Sequence, residues 1–262
     1  QHKKPRVKAN ENGVFVIWDD FFRPDASGNI YIQKITHENN GVWESFSSLS
    51  FDGIPVSEET GEQSNSRLTI DGNNGVYVVW ENSSNEQKDI KIKHLDSDGN
   101  STFEEDGLLI CSFERDQISP LVIRDGDGGA FSVWQDYREG SAGLYAQHIN
   151  VLGITSLPDD GVELFYGIDY NGNLYNDDDP LQLTPKSLYL GDDRTLLFWE
   201  DKRFGNQIID NLNISTSYVL GEVIDSDFGN VGTLNGEKLS ESPVQKKPSV
   251  NLLENSYLYN FI

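Results

Sequence analysis

Short apolar runs recur along the chain, and each run ends on a tryptophan. The runs occupy residues 14–18, 76–80, 130–134 and 195–199, so the tryptophans follow one another at intervals of 54 to 65 residues. A proline or a serine lies 13 or 14 residues before each tryptophan, at Pro5, Ser66, Pro120 and Pro185. A shared register of this kind indicates an internal repeat.

Each repeat predicts four strands. The first follows the proline or serine, the second is the apolar run, the third alternates, and the fourth follows a glycine. The third strands lie at 30–35, 90–95 and 144–149, and the fourth at 53–57, 107–111, 161–165 and 236–240. The turns at 71–75 and 125–129 carry the Asp-Gly and Asn-Gly pairs that hairpins favour. No stretch keeps a period of 3.6 residues, so we predict almost no helix.

These strands predict an all-β fold, a β-propeller of four-stranded antiparallel blades with four complete repeats and the first half of a fifth. The approximate blades are 5–65, 66–119, 120–184, 185–247 and a partial 248–262, within a single domain of residues 1–262. One such sheet cannot cover both of its faces, so stacked blades would bury them with tryptophan as the filler between blades. A row of β-sandwich domains is the competing architecture.

The repeat resembles the tryptophan-containing propeller repeats of secreted bacterial proteins, many of which are similar to cargo of type IX secretion. The pattern is clearest between Pro120 and Ile149, where a Gly-Gly turn leads to Trp134 and then to Asp136 and Arg138. The second repeat departs from the pattern, because it lacks both the Asp and the Arg. The resemblance implies a propeller and says little about activity, since propellers host many functions.

Composition narrows the possible partners and the location. The chain has 20 Lys and Arg against 43 Asp and Glu, a formal net charge of −23. This charge disfavours binding to nucleic acid or to an anionic membrane, and no apolar run is long enough for membrane insertion. The chain contains no Met and begins with Gln1, which fits removal of a signal peptide and fits an expressed segment equally well. The strong acidity suits an extracellular or cell-surface location, which we expect for this protein. The single cysteine, Cys111, is predicted to be a small buried residue.

Two groups of polar residues recur from repeat to repeat. Arg138 and Arg203 each follow an Asp-x-Arg pattern, and these arginines are candidate ligands for an anionic molecule, with a strand-end salt bridge as the favoured alternative. The glutamines Gln63, Gln117 and Gln182 are predicted to bond the backbone in loops. His94 and His148 share a position on the third strand, and we expect strand packing there rather than a shared metal.

Acidic loops are candidate calcium sites. Asp96, Asp98 and Asn100 alternate in the manner of calcium-binding loops, although the glycine and the final glutamate do not match the usual spacing. A second stretch contains Asp169, Asn171, Asn173 and Asp177. Ordinary turn chemistry explains the same residues, so calcium is a possible cofactor and no other is predicted.

The loop between residues 165 and 180 is an insertion that carries Tyr166, Tyr170 and Tyr175. Aromatic faces beside hydrogen-bonding side chains suit sugar binding, whereas a surface loop packed on its own aromatics is the favoured alternative.

The sequence contains no recognisable catalytic motif. The leading prediction is a secreted, non-catalytic propeller that binds a polysaccharide or a cell-surface protein through its loops. One alternative is a carbohydrate-active hydrolase or lyase with carboxylates at the propeller channel, because a glycosidase needs only two suitably spaced carboxylates. Another is a structural subunit of an extracellular assembly.

Overall fold

The computed structural model describes the following residues: 2–21, 28–36, 43, 53–83, 87–164, 182–191, 194–202, 206–209, 212–215, 218–224, 237–238, 249–253 and 256–260. Within these ranges the chain forms strands and turns and no helix, which confirms the all-β prediction. Accordingly, the described residues include no helix that is long and apolar enough to cross a membrane.

The first two sheets each contain four antiparallel strands in chain order. The first sheet consists of β1 (His2–Asn10), β2 (Gly13–Asp20), β3 (Asn29–Ile35) and β4 (Ile54–Pro55). The second consists of β5 (Glu62–Ile70), β6 (Val76–Ser83), β7 (Asp89–Leu95) and β8 (Leu108–Cys111). The strands therefore fall where the repeat predicts them.

The remaining sheets continue the pattern, with one insertion. The third sheet consists of β9 (Gln117–Arg124), β10 (Ala130–Asp136), β11 (Gly143–Ile149) and β12 (Val162–Glu163). The fourth consists of β13 (Gln182–Gly191), β14 (Arg194–Asp201), β17 (Tyr218–Ile224) and β18 (Glu237–Lys238), and a separate hairpin of β15 (Asn206–Ile209) and β16 (Leu212–Ser215) interrupts it. A final pair, β19 (Ser249–Leu253) and β20 (Ser256–Asn260), supplies the half repeat.

The chain divides into two compact units. The first contains Gln1–Trp134 and Gln147–Gly161, and the second contains Gln135–Ala146 and Val162–Ile262. In the first unit, Trp80 is fully buried in one apolar cluster with residues of both the first and the second sheet, as the role of filler between blades predicts. In the second unit, a smaller cluster forms around Leu196, Phe198 and Val219.

The glycine before the fourth strand provides space for the tryptophan of its own sheet. Gly53 has a φ of +67°, and a Cβ atom there would lie 2.7 Å from the ring of Trp18. Gly107 has a φ of +82°, and a Cβ atom there would collide with the ring of Trp80. The recurring glycine is therefore required both by the left-handed backbone and by the close approach of the indole.

The first strand of each of the first four repeats contains a left-handed residue directly before the recurring proline or serine. These residues are Lys4, Asn65, Ser119 and Thr184, with φ values between 49° and 56°. In β1, β5 and β13 the strand register shifts at the same place, which marks a β-bulge. A non-glycine residue in this conformation is uncommon, so the surroundings must stabilise it.

Candidate functional site

One edge of the first unit gathers polar side chains from adjacent sheets. Antiparallel pairing of β5 with β6 places Gln63 opposite Asn82 and Ser64 opposite Glu81, so the start of a first strand meets the end of a second strand. Pairing of Lys3 with Asp19 gives the first sheet the same arrangement. The first-strand cluster, as we name it, consists of Arg6, Asp19, Asn65, Arg67 and Glu81.

The two carboxylates of the first-strand cluster bind the left-handed residues of the following repeat. Asp19 is completely buried and accepts hydrogen bonds from the Asn65 N–H at 3.1 Å and from the Ser66 hydroxyl at 2.9 Å. Glu81 accepts from the Ser119 N–H at 2.8 Å and from the side-chain amide of Asn65. Each carboxylate therefore satisfies a backbone donor that the bulge removes from the strand ladder.

The same contact recurs in the second unit with a neutral partner. The Gln135 side-chain oxygen accepts a hydrogen bond from the Thr184 N–H at 2.9 Å. The residue after the tryptophan of each apolar run is an oxygen-bearing side chain, and these residues are Asp19, Glu81, Gln135 and Glu200. The sequence carries this signal directly after the tryptophan, at a position where the repeat pattern alone predicts no functional residue.

The two arginines of the first-strand cluster occupy equivalent positions just after the bulge. Arg67 donates from Nη1 to the Asn65 carbonyl and side-chain oxygens and to the Ser66 carbonyl, at distances between 2.9 and 3.2 Å. Arg6 donates from Nη1 to the Lys4 carbonyl at 2.8 Å. Burial, with the nearby positive charge of Arg6, lowers the pKa of Arg67 to about 10. Burial also lowers the pKa of Arg6, against the opposing effect of Asp19.

The histidines of the third strands form matched pairs with turn aspartates. Nε2 of His94 lies 2.9 Å from Asp71, and the imidazole stacks on Tyr77. His148 lies 2.9 Å from Asp125 in the same way. Burial alone would raise the pKa of Asp71, but hydrogen bonds from His94 and from the turn amides lower it by a larger amount. The net pKa therefore lies below the ordinary value. The pKa of Asp125 is lowered for the same reasons, with His148 as the side-chain partner. These contacts agree with the expected strand packing.

Of the two arginines that the sequence predicts as ligands for an anionic molecule, only Arg138 lies within the described residues. Its Nη2 atom lies 2.6 Å from the buried Asp136, and its guanidinium lies 4.0 Å from the centre of the Tyr145 ring. Such contacts are those of a salt bridge at a strand end. Arg203 lies outside the described residues. The predicted role of the glutamines is seen in Gln63 and Gln117, whose amides donate to loop carbonyls at distances from 2.9 to 3.5 Å.

The first predicted calcium loop is closed by its own hydrogen bonds. One oxygen of Asp96 accepts from the N–H groups of Asp98 and Asn100, both at 2.9 Å. Among the described residues, no group of three or more His, Cys, Asp or Glu is arranged to hold a metal ion. The other predicted metal and sugar ligands lie outside the described residues, and these are Asp169, Asn171, Asn173, Asp177, Tyr166, Tyr170 and Tyr175.

Solved structures share this arrangement of sheets. An endo-1,4-β-xylanase from Bacteroides thetaiotaomicron is 11% identical, with a TM-score of 0.51 over 92% of this chain and 73% of that chain. An N-acetylgalactosamine deacetylase from F. plautii, solved with blood group B trisaccharide, is also 11% identical, with a TM-score of 0.51 over 93% of this chain and 70% of that chain. The fold is a β-propeller. No protein-family model matches the chain, and no curated protein matches it.

The comparison corrects the predicted function. Both structures at a TM-score of 0.51 are enzymes whose names refer to carbohydrates. The prediction of a non-catalytic binding protein is therefore wrong, and the alternative of a carbohydrate-active enzyme is the better supported one. The sequence placed the enzyme second because it contains no local catalytic motif, and residues that meet from separate blades of a propeller leave no such motif.

Proposed function

We propose that the protein is a secreted carbohydrate-active enzyme that hydrolyses a polysaccharide, with Asp19 and Glu81 as its acid and base. The observation that carries this proposal is the placement of two buried carboxylates from adjacent blades against one residue, Asn65. The shared fold with a xylanase supports the reaction class.

The spacing of the two carboxylates suits glycosidic bond cleavage. Asp19 contacts the Asn65 backbone N–H and Glu81 contacts its side-chain amide, which keeps the two carboxylates within about 10 Å of each other. Glycosidase pairs are separated by about 5–10 Å. In such a pair one carboxylic acid protonates the leaving oxygen, while the other group activates a water or attacks the sugar. Lys88 lies 2.7 Å from Glu81 and forms an ion pair with that carboxylate.

The structural and the catalytic roles of these carboxylates can be separated by amide substitution. In the second unit Gln135 accepts the equivalent backbone hydrogen bond with an amide oxygen. Asp19→Asn and Glu81→Gln therefore keep the acceptor for Asn65 and Ser119 but remove the ionisable oxygen.

The experiment measures the release of reducing sugars from a panel of xylan, arabinan, galactan and polygalacturonate. We expect the wild-type chain to release product from at least one polymer, and each amide variant to lose about 100-fold or more of that rate. Thermal unfolding should show both variants folded, and Gln135→Glu serves as the matched variant that should stay active. Full activity in both amide variants would overturn the assignment, and no product from any polymer would overturn the enzyme proposal.

A further inference from the structure

Two neighbouring arginines of the first unit, Arg6 and Arg67, form no direct ion pair with a carboxylate of the described residues. By contrast, Lys88, Lys91 and Arg138 each form one. Acidic residues outnumber basic ones by 43 to 20 in this chain, so a carboxylate partner for a cation is readily available. Asp19 and Glu81 oppose part of the positive charge of these arginines without forming a direct ion pair with either. Two guanidinium groups without a direct ion pair on adjacent first strands therefore call for an explanation.

The two arginines repel each other, and each has N–H donors that make no hydrogen bond within the described part of the protein. The positive charge of Arg6 disfavours the charged form of Arg67, so the two groups are close enough to repel. Each guanidinium uses only Nη1 in hydrogen bonds to the protein, which leaves its Nη2 and Nε donors without a partner among the described residues. Both side chains are half-buried, so they remain within reach of a ligand while being partly desolvated.

The surrounding hydrogen bonds hold Arg67 in place. Its Nη1 atom is fixed by three acceptors on Asn65 and Ser66, and Asn65 is itself held by Asp19 and Glu81. A fixed guanidinium recognises a planar anion in a bidentate way at low entropic cost. An anion at this position would also relieve the repulsion between the two cations.

We propose that Arg6 and Arg67 form a binding site for the anionic group of an acidic sugar, so that the ligand of the first-strand cluster is a negatively charged polysaccharide. The anionic group is a carboxylate of a uronic acid or a sulfate ester, which share the same guanidinium chemistry. This inference gives the substrate class of the proposed enzyme and in that respect rests on it, but the binding itself does not require turnover.

The sequence repeat does not reveal the arginine pair, because the equivalent positions of later repeats carry other residues. The equivalent residue is Leu121 in the third repeat and Lys186 in the fourth, so no arginine motif recurs along the sequence.

The test is equilibrium binding by calorimetry with an oligogalacturonate, a sulfated galactan oligosaccharide and a neutral xylo-oligosaccharide of equal length. We expect the folded wild-type chain to bind at least one of the anionic oligosaccharides and to lose affinity as salt rises. The anionic ligand that binds more tightly identifies the natural group.

Substitutions distinguish binding by the arginine pair from a general effect of positive charge on the protein. Arg6→Gln and Arg67→Gln should each weaken anionic binding about tenfold or more. Lys8→Gln removes an equal charge from an exposed site on the same strand and should change affinity less than twofold. Arg67→Lys keeps the charge without the fork and should bind with intermediate affinity. Circular dichroism confirms that each variant is folded.

The outcomes distinguish this site from the proposed activity. Anionic binding that both Gln variants leave unchanged, or equal binding of the neutral oligosaccharide, overturns the anion site. Anionic binding that depends on both arginines, without turnover of any polymer, supports the site and overturns the enzyme proposal. Turnover of a neutral polymer that neither arginine variant affects supports the enzyme proposal and overturns the anion site.

Discussion

At the scale of single residues, the side chain after the tryptophan of each of the first three repeats bonds a left-handed residue in the next repeat. Asn65 and Ser119 adopt left-handed φ values, and their N–H groups are satisfied by Asp19 and Glu81. A left-handed non-glycine residue costs about 1–2 kcal/mol, which one or two hydrogen bonds to a buried carboxylate can offset. The tolerance for an amide at Gln135 shows that the contact needs an acceptor rather than a charge.

The histidine–aspartate pairs predict that the protein loses stability in acid. The folded pKa values of Asp71 and Asp125 lie below their ordinary value of 3.8. A carboxyl of this kind stabilises the fold above its unfolded pKa, and the contribution is lost as pH falls through the folded pKa. We therefore expect the urea concentration at the midpoint of unfolding to decrease as the pH is lowered below 3.8. Asp71→Asn should make this decrease smaller. Asp127→Asn, at an exposed position of the turn after Asp125, should leave the pH dependence unchanged. An Asp71→Asn profile that overlays the wild-type profile would contradict this role.

At the scale of the strand and sheet, the glycine before the fourth strand is as important as the tryptophan. We expect Gly107→Ala to lower the free energy of unfolding by about 2–4 kcal/mol, because it combines a left-handed backbone with overpacking against Trp80. Gly72→Ala is the matched control, since Gly72 has a φ of +95° but only an ordinary contact at 3.6 Å. Chemical denaturation of both variants measures the difference, and equal losses would show that the Trp80 contact contributes nothing.

The strands could be predicted from the sequence because their signals are local. Apolar runs, Asp-Gly turns and the glycine at 107 each act within a few residues, so the second sheet forms where the repeat predicts it. The left-handed Asn65 and Ser119 could not be predicted, because their cause is a side chain in the preceding repeat. The pairing of Arg6 with Arg67 also arises only when two first strands lie side by side, and no sequence spacing reports it.

At the scale of the whole molecule, charge repulsion opposes folding. A formal net charge of −23 on 262 residues raises the energy of the compact state, and dissolved ions screen this repulsion over about 8 Å at physiological ionic strength. We expect the thermal midpoint to rise as sodium chloride increases from about 0.02 to about 0.5 M. Choline chloride at equal ionic strength should give the same shift if screening is the cause. A midpoint that falls or stays constant would show that repulsion is not limiting.

The hydrogen bond that links each of the first three repeats to the next has a consequence for engineering. The acceptor belongs to one module, whereas the donor it serves belongs to the next, as Glu81 and Ser119 show. A transplanted module would therefore depend on the identity of its upstream neighbour, even if its own residues were all retained. Chimeras with an alanine at the graft junction after the tryptophan should fail to dock the incoming module, while those with an acid or an amide there should succeed.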